Sequence, residues 1–146
     1  MMKAGSSLKI AAQLDQLDLV RRFVEEQAIA LGIDTAKMYD VLLSVDEITT
    51  NIVVHGYCGR SGIIEVEMQP AGHTLLVYVR DHAPPFDPTT FPAPDITLPL
   101  ETRPVGGMGI HIAKTMLDEV TYEPGPPNLW RLCKRLPGGA RARTRV

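Results

Sequence analysis

Glu47 and Asn51 are the first candidates for chemistry in this sequence of 146 residues. They stand four positions apart in a stretch with helical spacing, so they share one helix face with Ser44. A carboxylate can accept a proton, and side-chain oxygens are the ligands that Mg²⁺ prefers. Taken alone, the pair is more simply explained as a solvated polar stripe on an amphipathic helix.

Asp81 is a second candidate, because it follows a run of β-forming residues and precedes Ala83 and two prolines. A carboxylate at the end of a strand can accept a hydrogen bond from an exocyclic amine such as that of adenine. An aspartate in this context also initiates turns, so the residue has a purely local explanation as well.

A glycine-rich segment forms the third candidate, with Gly106, Gly107, Met108 and Gly109 opening a predicted helix. Glycine allows close approach of the backbone, and the first turn of a helix offers free amides to a phosphate. A single glycine cluster is weak evidence, since many loops contain glycine for conformational reasons.

Three predicted helices and five predicted strands must position these residues. Asp15 is expected to cap a helix that ends at Gly32, and Asp34 a longer helix that ends near His55-Gly56. The spacing and alternation of apolar residues predict strands at 7–14, 63–69, 74–79, 119–123 and 129–136, and a third helix from Gly106 to about Leu117. The turn between the second and third strands is predicted at Pro70-Ala71-Gly72.

This order of elements predicts an α/β fold, in detail an α+β two-layer sandwich. We expect a mixed β-sheet with the helices on one face. Seven of the 12 prolines fall between Pro84 and Pro104, which excludes a helix or central strand there and predicts a loop of about twenty residues. Loops of that length inside a compact domain are usually functional or disordered.

Composition narrows the function classes. The 17 acidic residues all precede Arg131, whereas the last sixteen positions carry six basic residues and no acid. An acidic body is a poor surface for duplex nucleic acid, and the basic end is expected to be a solvated tail. Two cysteines, no long apolar run and no secretion signal predict a reduced, cytoplasmic protein without a membrane span.

The three motifs together are more specific than each alone. The segments SVDEITTNIVVHGY, VRDHAPPFDP and GGMGIHIAKTMLDEV occur in this order with a long loop before the third. This arrangement resembles the N, G1 and G2 boxes of the histidine-kinase-like (GHKL) ATPase superfamily, and most of all its single-domain anti-sigma-factor serine-protein kinases. The resemblance covers about residues 7–136. We therefore expect a histidine-kinase-like ATPase domain over 1–136 and a basic tail over 137–146.

The resemblance implies ATP and Mg²⁺ as cofactors. Asn51 would hold Mg²⁺, Glu47 would take the proton of a serine hydroxyl, and Asp81 would bind the adenine amine with Ala83 beside it. The amides of Gly106, Gly107, Met108 and Gly109 would surround phosphate, and the proline-rich segment would be the ATP lid.

The resemblance also implies partners: a sigma factor, a STAS-domain anti-sigma antagonist as the phosphorylated protein, and a second copy of the chain in a homodimer. One position departs from the pattern, because the G1 box usually has glycine where this chain has Ala83. The added methyl group favours one alternative, a non-catalytic nucleotide-binding module that switches partners. A structural α/β domain with coincidental motifs is a third hypothesis.

Overall fold

The computed structural model describes residues 5–85 and 113–137. A short 3₁₀ turn at Leu14–Gln16 precedes the first helix, and a π-helical turn at Ile52–Tyr57 follows the second. In chain order, the elements are β1 (Ser6–Ala11), α1 (Leu17–Ala30), α2 (Thr35–Asn51), β2 (Ile63–Ala71), β3 (Thr74–Asp81), β4 (Glu119–Glu123) and β5 (Asn128–Arg135).

The five strands form one sheet in the order β1-β2-β3-β5-β4, and every neighbouring pair is antiparallel. The sequence had led us to expect a mixed sheet, but the sheet formed by the described strands is antiparallel. The connections explain the difference. Tight turns join β2 to β3 and β4 to β5, while two successive helices between β1 and β2 return the chain in the opposite direction.

One face of the sheet is buried under the two helices. Along β2, Ile64, Val66 and Met68 are buried and alternate with half-buried Glu65 and Glu67. The helices contribute buried apolar positions at helical spacing, which are Val20, Val24 and Ala28 in α1 and Val41, Val45 and Ile48 in α2. The predicted two-layer arrangement with helices on one face is confirmed.

The two helices begin differently. The Oδ2 atom of Asp34 accepts a hydrogen bond from the backbone N–H of Lys37 at 3.4 Å, so the predicted cap of α2 is confirmed. The prediction for α1 was wrong: Asp15 lies inside the 3₁₀ turn, and α1 starts two residues later without a side-chain cap. Gly32, with φ of 69°, ends α1 as predicted.

The strand boundaries in the structure differ by a few residues from those predicted from the sequence. β1 ends at Ala11 because the chain then enters the 3₁₀ turn, whereas β2 continues through Pro70 and Ala71. The turn after β2 is consequently the two-residue Gly72-His73, and Gly72 adopts the positive φ of 64° that such hairpins require. Of the third predicted helix, residues 113–116 are helical and the earlier part lies outside the described residues. None of the helices within 5–85 and 113–137 has the length and apolar character needed to cross a membrane.

Candidate nucleotide site

A cleft that is open to solvent lies between the end of α2, the end of β3 and the start of β5. Asn51 and Gly56 line the helical side, while Asp81, Ala83 and Asn128 line the sheet side. Three residues that the sequence analysis selected, Asn51, Asp81 and Ala83, therefore meet at one place although two different elements carry them.

Asp81 is the last residue of β3 and is only 3% exposed. Its Oδ1 atom accepts two hydrogen bonds, from the backbone N–H of Ala83 at 2.9 Å and from Nδ2 of Asn128 at 2.9 Å. Both hydrogen bonds from described residues to this carboxylate are accepted by Oδ1. Oδ2 is therefore the oxygen left for a ligand in the cleft.

Burial raises the pKa of Asp81 above its ordinary value, because desolvation disfavours the charged form. The hydrogen bonds from Asn128 and Ala83 and the nearby His82 act in the opposite direction and do not fully offset the burial. A ligand that donates a hydrogen bond to the carboxylate would favour its charged form further.

Asn51 is the last residue of α2 and is 8% exposed. Its side-chain Nδ2 is buried and has no hydrogen-bond partner among the described residues. A buried donor without a partner costs on the order of 1–3 kcal/mol, which a ligand with oxygen acceptors would relieve. The carboxamide thus fits a phosphate group, and its oxygen fits an accompanying hard cation.

The π-helical turn after Asn51 decides which residues reach the cleft. The sequence predicts one continuous α-helix to about Gly56, in which residues three and four apart are neighbours. In the structure, the winding widens at Ile52, and residues five apart become neighbours. Asn51 and Gly56, which are five apart, both line the cleft as a result.

Glu47 lies one helical turn before Asn51 and is half-buried, outside the wall of the cleft. Desolvation raises the pKa of Glu47, and the neighbouring negative charge of Asp46 raises it further. Arg21 on α1 partly balances that charge, since its Nε donates to Oδ1 of Asp46 at 2.8 Å. A carboxyl group whose pKa lies closer to neutrality is suited to proton transfer.

Tyr57 is buried at the end of the π-helical turn and connects backbone segments around the cleft through its hydroxyl. Its hydroxyl donates to the carbonyl of Ile63 at 2.8 Å and accepts from the N–H of His82 at 2.8 Å. The end of the helix, the start of β2 and the end of β3 are thereby held together.

Asn128 and Gly56 line the cleft, and the sequence did not single out either of them as a site residue. Trp130 is buried and its ring lies 4.7 Å from that of Tyr122, centroid to centroid, so it is a packing residue although both rings also border the cleft. The register of β3 with β5, which places Asp81 opposite Asn128, carries the missing information. That register follows from strand pairing and has no local motif.

The glycine-rich segment Gly106, Gly107, Met108 and Gly109 lies outside the described residues, as does most of the predicted lid. Within 5–85 and 113–137, no three His, Cys, Asp or Glu side chains form a group that could hold a metal ion. Among the described residues, Asn51 is the candidate ligand for a cation at this cleft, together with oxygens of a bound ligand.

Comparison with known proteins gives a consistent result. Residues 10–132 match the family described as the histidine kinase-like ATPase domain. Proteins named serine-protein kinase RsbW from Bacillus mycoides and Bacillus anthracis are 26% identical over 117 residues, which span 77% of this chain and 73% of theirs.

A solved structure is similar in fold. The crystal structure of the RsbU and RsbW domains of Rv1364c from Mycobacterium tuberculosis matches 97% of this chain with a TM-score of 0.66 and 20% identity. The chain spans 34% of the length of that larger protein. The resemblance to serine-protein kinases of this type, inferred from the three motifs, is confirmed.

Proposed function

The chain belongs to the histidine kinase-like ATPase domain family, and on that premise we propose that it is a protein serine kinase that binds ATP with Mg²⁺. The observation that carries this proposal is the meeting of Asp81 and Asn51 in one cleft. Asp81 offers a buried acceptor to a base, and Asn51 offers to phosphate and cation a buried carboxamide whose Nδ2 has no hydrogen-bond partner among the described residues.

ATP supplies the phosphoryl group and Mg²⁺ supplies charge neutralisation. The chain's own residues therefore have to position the nucleotide and the serine and to move one proton. Asp81 would accept a hydrogen bond from the adenine amine through Oδ2. Asn51 would hold the cation through its amide oxygen. The glycine-rich residues 106–109 would surround phosphate, as the family motif implies.

Glu47 would act as the base. It would take the proton of the serine hydroxyl as the serine oxygen bonds to the γ-phosphorus, and the bond from that phosphorus to the bridging oxygen would break, leaving its electron pair on ADP. The raised pKa of Glu47 supports this role, because a more basic carboxylate accepts the proton more readily.

The partners of this activity are also proposals. The relatives named serine-protein kinase RsbW support a serine-bearing protein as substrate. We infer that the substrate is a STAS-domain antagonist, that the chain sequesters a sigma factor in the cytoplasm, and that it acts as a homodimer in transcription regulation.

The first experiment is calorimetric titration of the purified chain with ATP and ADP, each with and without Mg²⁺. We expect binding of both nucleotides, with Mg²⁺ strengthening ATP binding. Absence of binding at millimolar nucleotide would reject the ATPase site and favour a partner-binding module, consistent with the extra methyl group of Ala83 at the cleft.

The second experiment tests transfer. The chain is incubated with Mg²⁺-ATP and, one at a time, with purified STAS-domain proteins from the same genome, and phosphoserine is sought by mass spectrometry. Glu47→Ala should retain nucleotide binding and lose transfer. Binding without transfer to any of these proteins would contradict the kinase assignment and support a nucleotide-dependent module that switches partners without phosphorylating them.

A further inference from the structure

Asn128 is the first residue of β5 and lies directly opposite Asp81 in the antiparallel register. It is 2% exposed. An asparagine so deeply buried requires partners for its amide hydrogens and its oxygen, because each unsatisfied group would carry a desolvation cost.

Each polar atom of the Asn128 side chain has a partner. Nδ2 donates to Oδ1 of Asp81 at 2.9 Å and to the carbonyl oxygen of Ala83 at 2.8 Å. Oδ1 accepts from the backbone N–H of Gly125 at 2.9 Å. These three bonds fix which end of the amide is the donor, since a reversed amide would place its oxygen against two acceptors.

The arrangement has a consequence for Asp81. Its Oδ1 atom is engaged by the amide of Asn128 and by the N–H of Ala83, and both donors come from the protein. The carboxylate can therefore neither rotate freely nor turn Oδ1 towards the cleft. What faces a ligand is one oxygen that only accepts hydrogen bonds.

We propose that Asn128 is a positioning residue that sets base selectivity at this cleft by holding Oδ1 of Asp81 and presenting Oδ2 to an amino group. This inference rests on the proposed nucleotide-binding function. A purine with an amine at position 6 gains a hydrogen bond to a charged acceptor. A 6-oxo purine places an oxygen there, and a purine with hydrogen at position 6 places no hydrogen-bonding group.

Selectivity of this kind arises because a buried polar group rejects a ligand that leaves it unpaired. A hydrogen bond to a charged group contributes on the order of 1.5–3 kcal/mol, which corresponds to roughly a ten- to hundredfold difference in affinity. Without Asn128, the carboxylate can rotate and become hydrated, and the difference in affinity between the nucleotides should shrink.

The test measures affinity of the full-length chain for three nucleotides in the presence of Mg²⁺: ATP, purine riboside triphosphate, which lacks the 6-amino group, and inosine triphosphate, which carries oxygen there. The parent chain should prefer ATP to purine riboside triphosphate by about tenfold or more. Asn128→Ala should bring this ratio close to one by weakening ATP selectively. Asn128→Ser, which keeps one short donor, should retain part of the preference and serves if the alanine variant does not fold.

Tyr57→Phe provides the matched control, because it removes a hydrogen bond to the same strand end without touching Asp81. It should lower the affinity for ATP and for purine riboside triphosphate by the same factor. An equal loss for both nucleotides in Asn128→Ala or Asn128→Ser would reduce Asn128 to a structural role and overturn the inference, while ATP binding by the parent would leave the proposed function standing. No binding of any nucleotide by the folded parent would instead reject the proposed function and this inference with it.

Discussion

Gly56 and Ala83 face each other across the cleft so closely that a Cβ atom placed on Gly56 would lie 3.2 Å from the Cβ of Ala83. Ala83 is the one departure from the G1 motif. Its methyl group is buried here against a residue that has no side chain. The absence of a side chain at position 56 therefore leaves room for the methyl group that the family pattern does not contain.

The first prediction concerns this pair. Gly56→Ala should weaken ATP binding several-fold, because the two methyl groups would be closer than ordinary van der Waals contact and one wall of the cleft would have to move. Ala83→Gly alone should bind ATP at least as well as the parent. In the double variant, Ala83→Gly should restore most of the affinity that Gly56→Ala loses. Calorimetry measures the four affinities, and additive effects would contradict direct contact between the two positions.

The second prediction concerns Asp81 in the nucleotide-free protein. Its raised pKa means that the parent gains stability as the pH falls through that pKa and is less stable above it. Asp81→Asn removes the buried charge while keeping an oxygen for Ala83 and Asn128. The variant should match or exceed the melting temperature of the parent at pH 7 and should bind ATP about tenfold or more weakly.

The difference in melting temperature between Asp81→Asn and the parent should then shrink as the pH is lowered towards 4, since protonation removes the same charge from the parent. Thermal denaturation at several pH values measures this trend. A variant that is less stable than the parent at pH 7 and equally stable at pH 4 would show that the charge stabilises the empty fold, contrary to our expectation.

The sequence predicted much of this arrangement and missed a specific part. Local signals sufficed for Asp34 as a helix cap, for the helical stripes and for the alternation along β2, because neighbours in sequence determine them. Asn51, Asp81 and Ala83 were found through motifs. The partner of Asp81 was not, because Asn128 lies 47 positions away and only the pairing of β3 with β5 brings it close.

Two further differences have the same physical origin. The expectation of a mixed sheet did not allow for two helices in succession, which reverse the chain once more than a single crossover helix. The π-helical turn at Ile52–Tyr57 was missed because the apolar spacing of the segment suits an α-helix. The hydrogen bonds of Tyr57 to Ile63 and His82 depend on where the start of β2 and the end of β3 lie. The roles of Asn51, Asp81 and Ala83, like those of Glu47 and residues 106–109, stay predictions.

The third prediction concerns Asn51. Asn51→Leu replaces a carboxamide whose buried Nδ2 has no partner among the described residues with an apolar group of similar size, so the empty protein should be as stable as the parent or more stable by about 1 kcal/mol. The same variant should lose the strengthening of ATP binding by Mg²⁺. Urea denaturation and titration with and without Mg²⁺ measure the two effects. Retention of the full Mg²⁺ effect would remove Asn51 from the cation site.

The fourth prediction concerns the base. Because Glu47 must be deprotonated to accept a proton and its pKa is raised, the rate of phosphoryl transfer should fall as the pH drops through that pKa. Asp46→Asn removes the negative charge that helps to raise this pKa, so the acidic limb of the kcat profile should move to lower pH. Glu25→Gln removes one negative charge from an exposed residue of α1 and is the charge-matched control. It should leave the acidic limb of the profile in place. An unmoved limb in Asp46→Asn would indicate that another group controls it.

The fifth prediction concerns the hydroxyl of Tyr57. Tyr57→Phe removes two hydrogen bonds and leaves the carbonyl of Ile63 and the N–H of His82 without their partner, which should lower the free energy of unfolding by about 2 kcal/mol. Urea denaturation measures the loss. A change below about 0.5 kcal/mol would show that water replaces the hydroxyl at both groups.

The wider winding after Asn51 makes this part of the chain sensitive to the number of its residues as well as to their identity. Deleting one residue between Asn51 and Gly56 would allow an ordinary α-helix to continue, and each residue of an α-helix turns the chain by about 100°. The groups that now face the cleft would keep their chemistry and lose their common direction. Single-residue deletions should therefore be tolerated far less well at Ile52–Tyr57 than substitutions that preserve length. Conservation of the number of residues in this segment would be informative even where the amino acids differ.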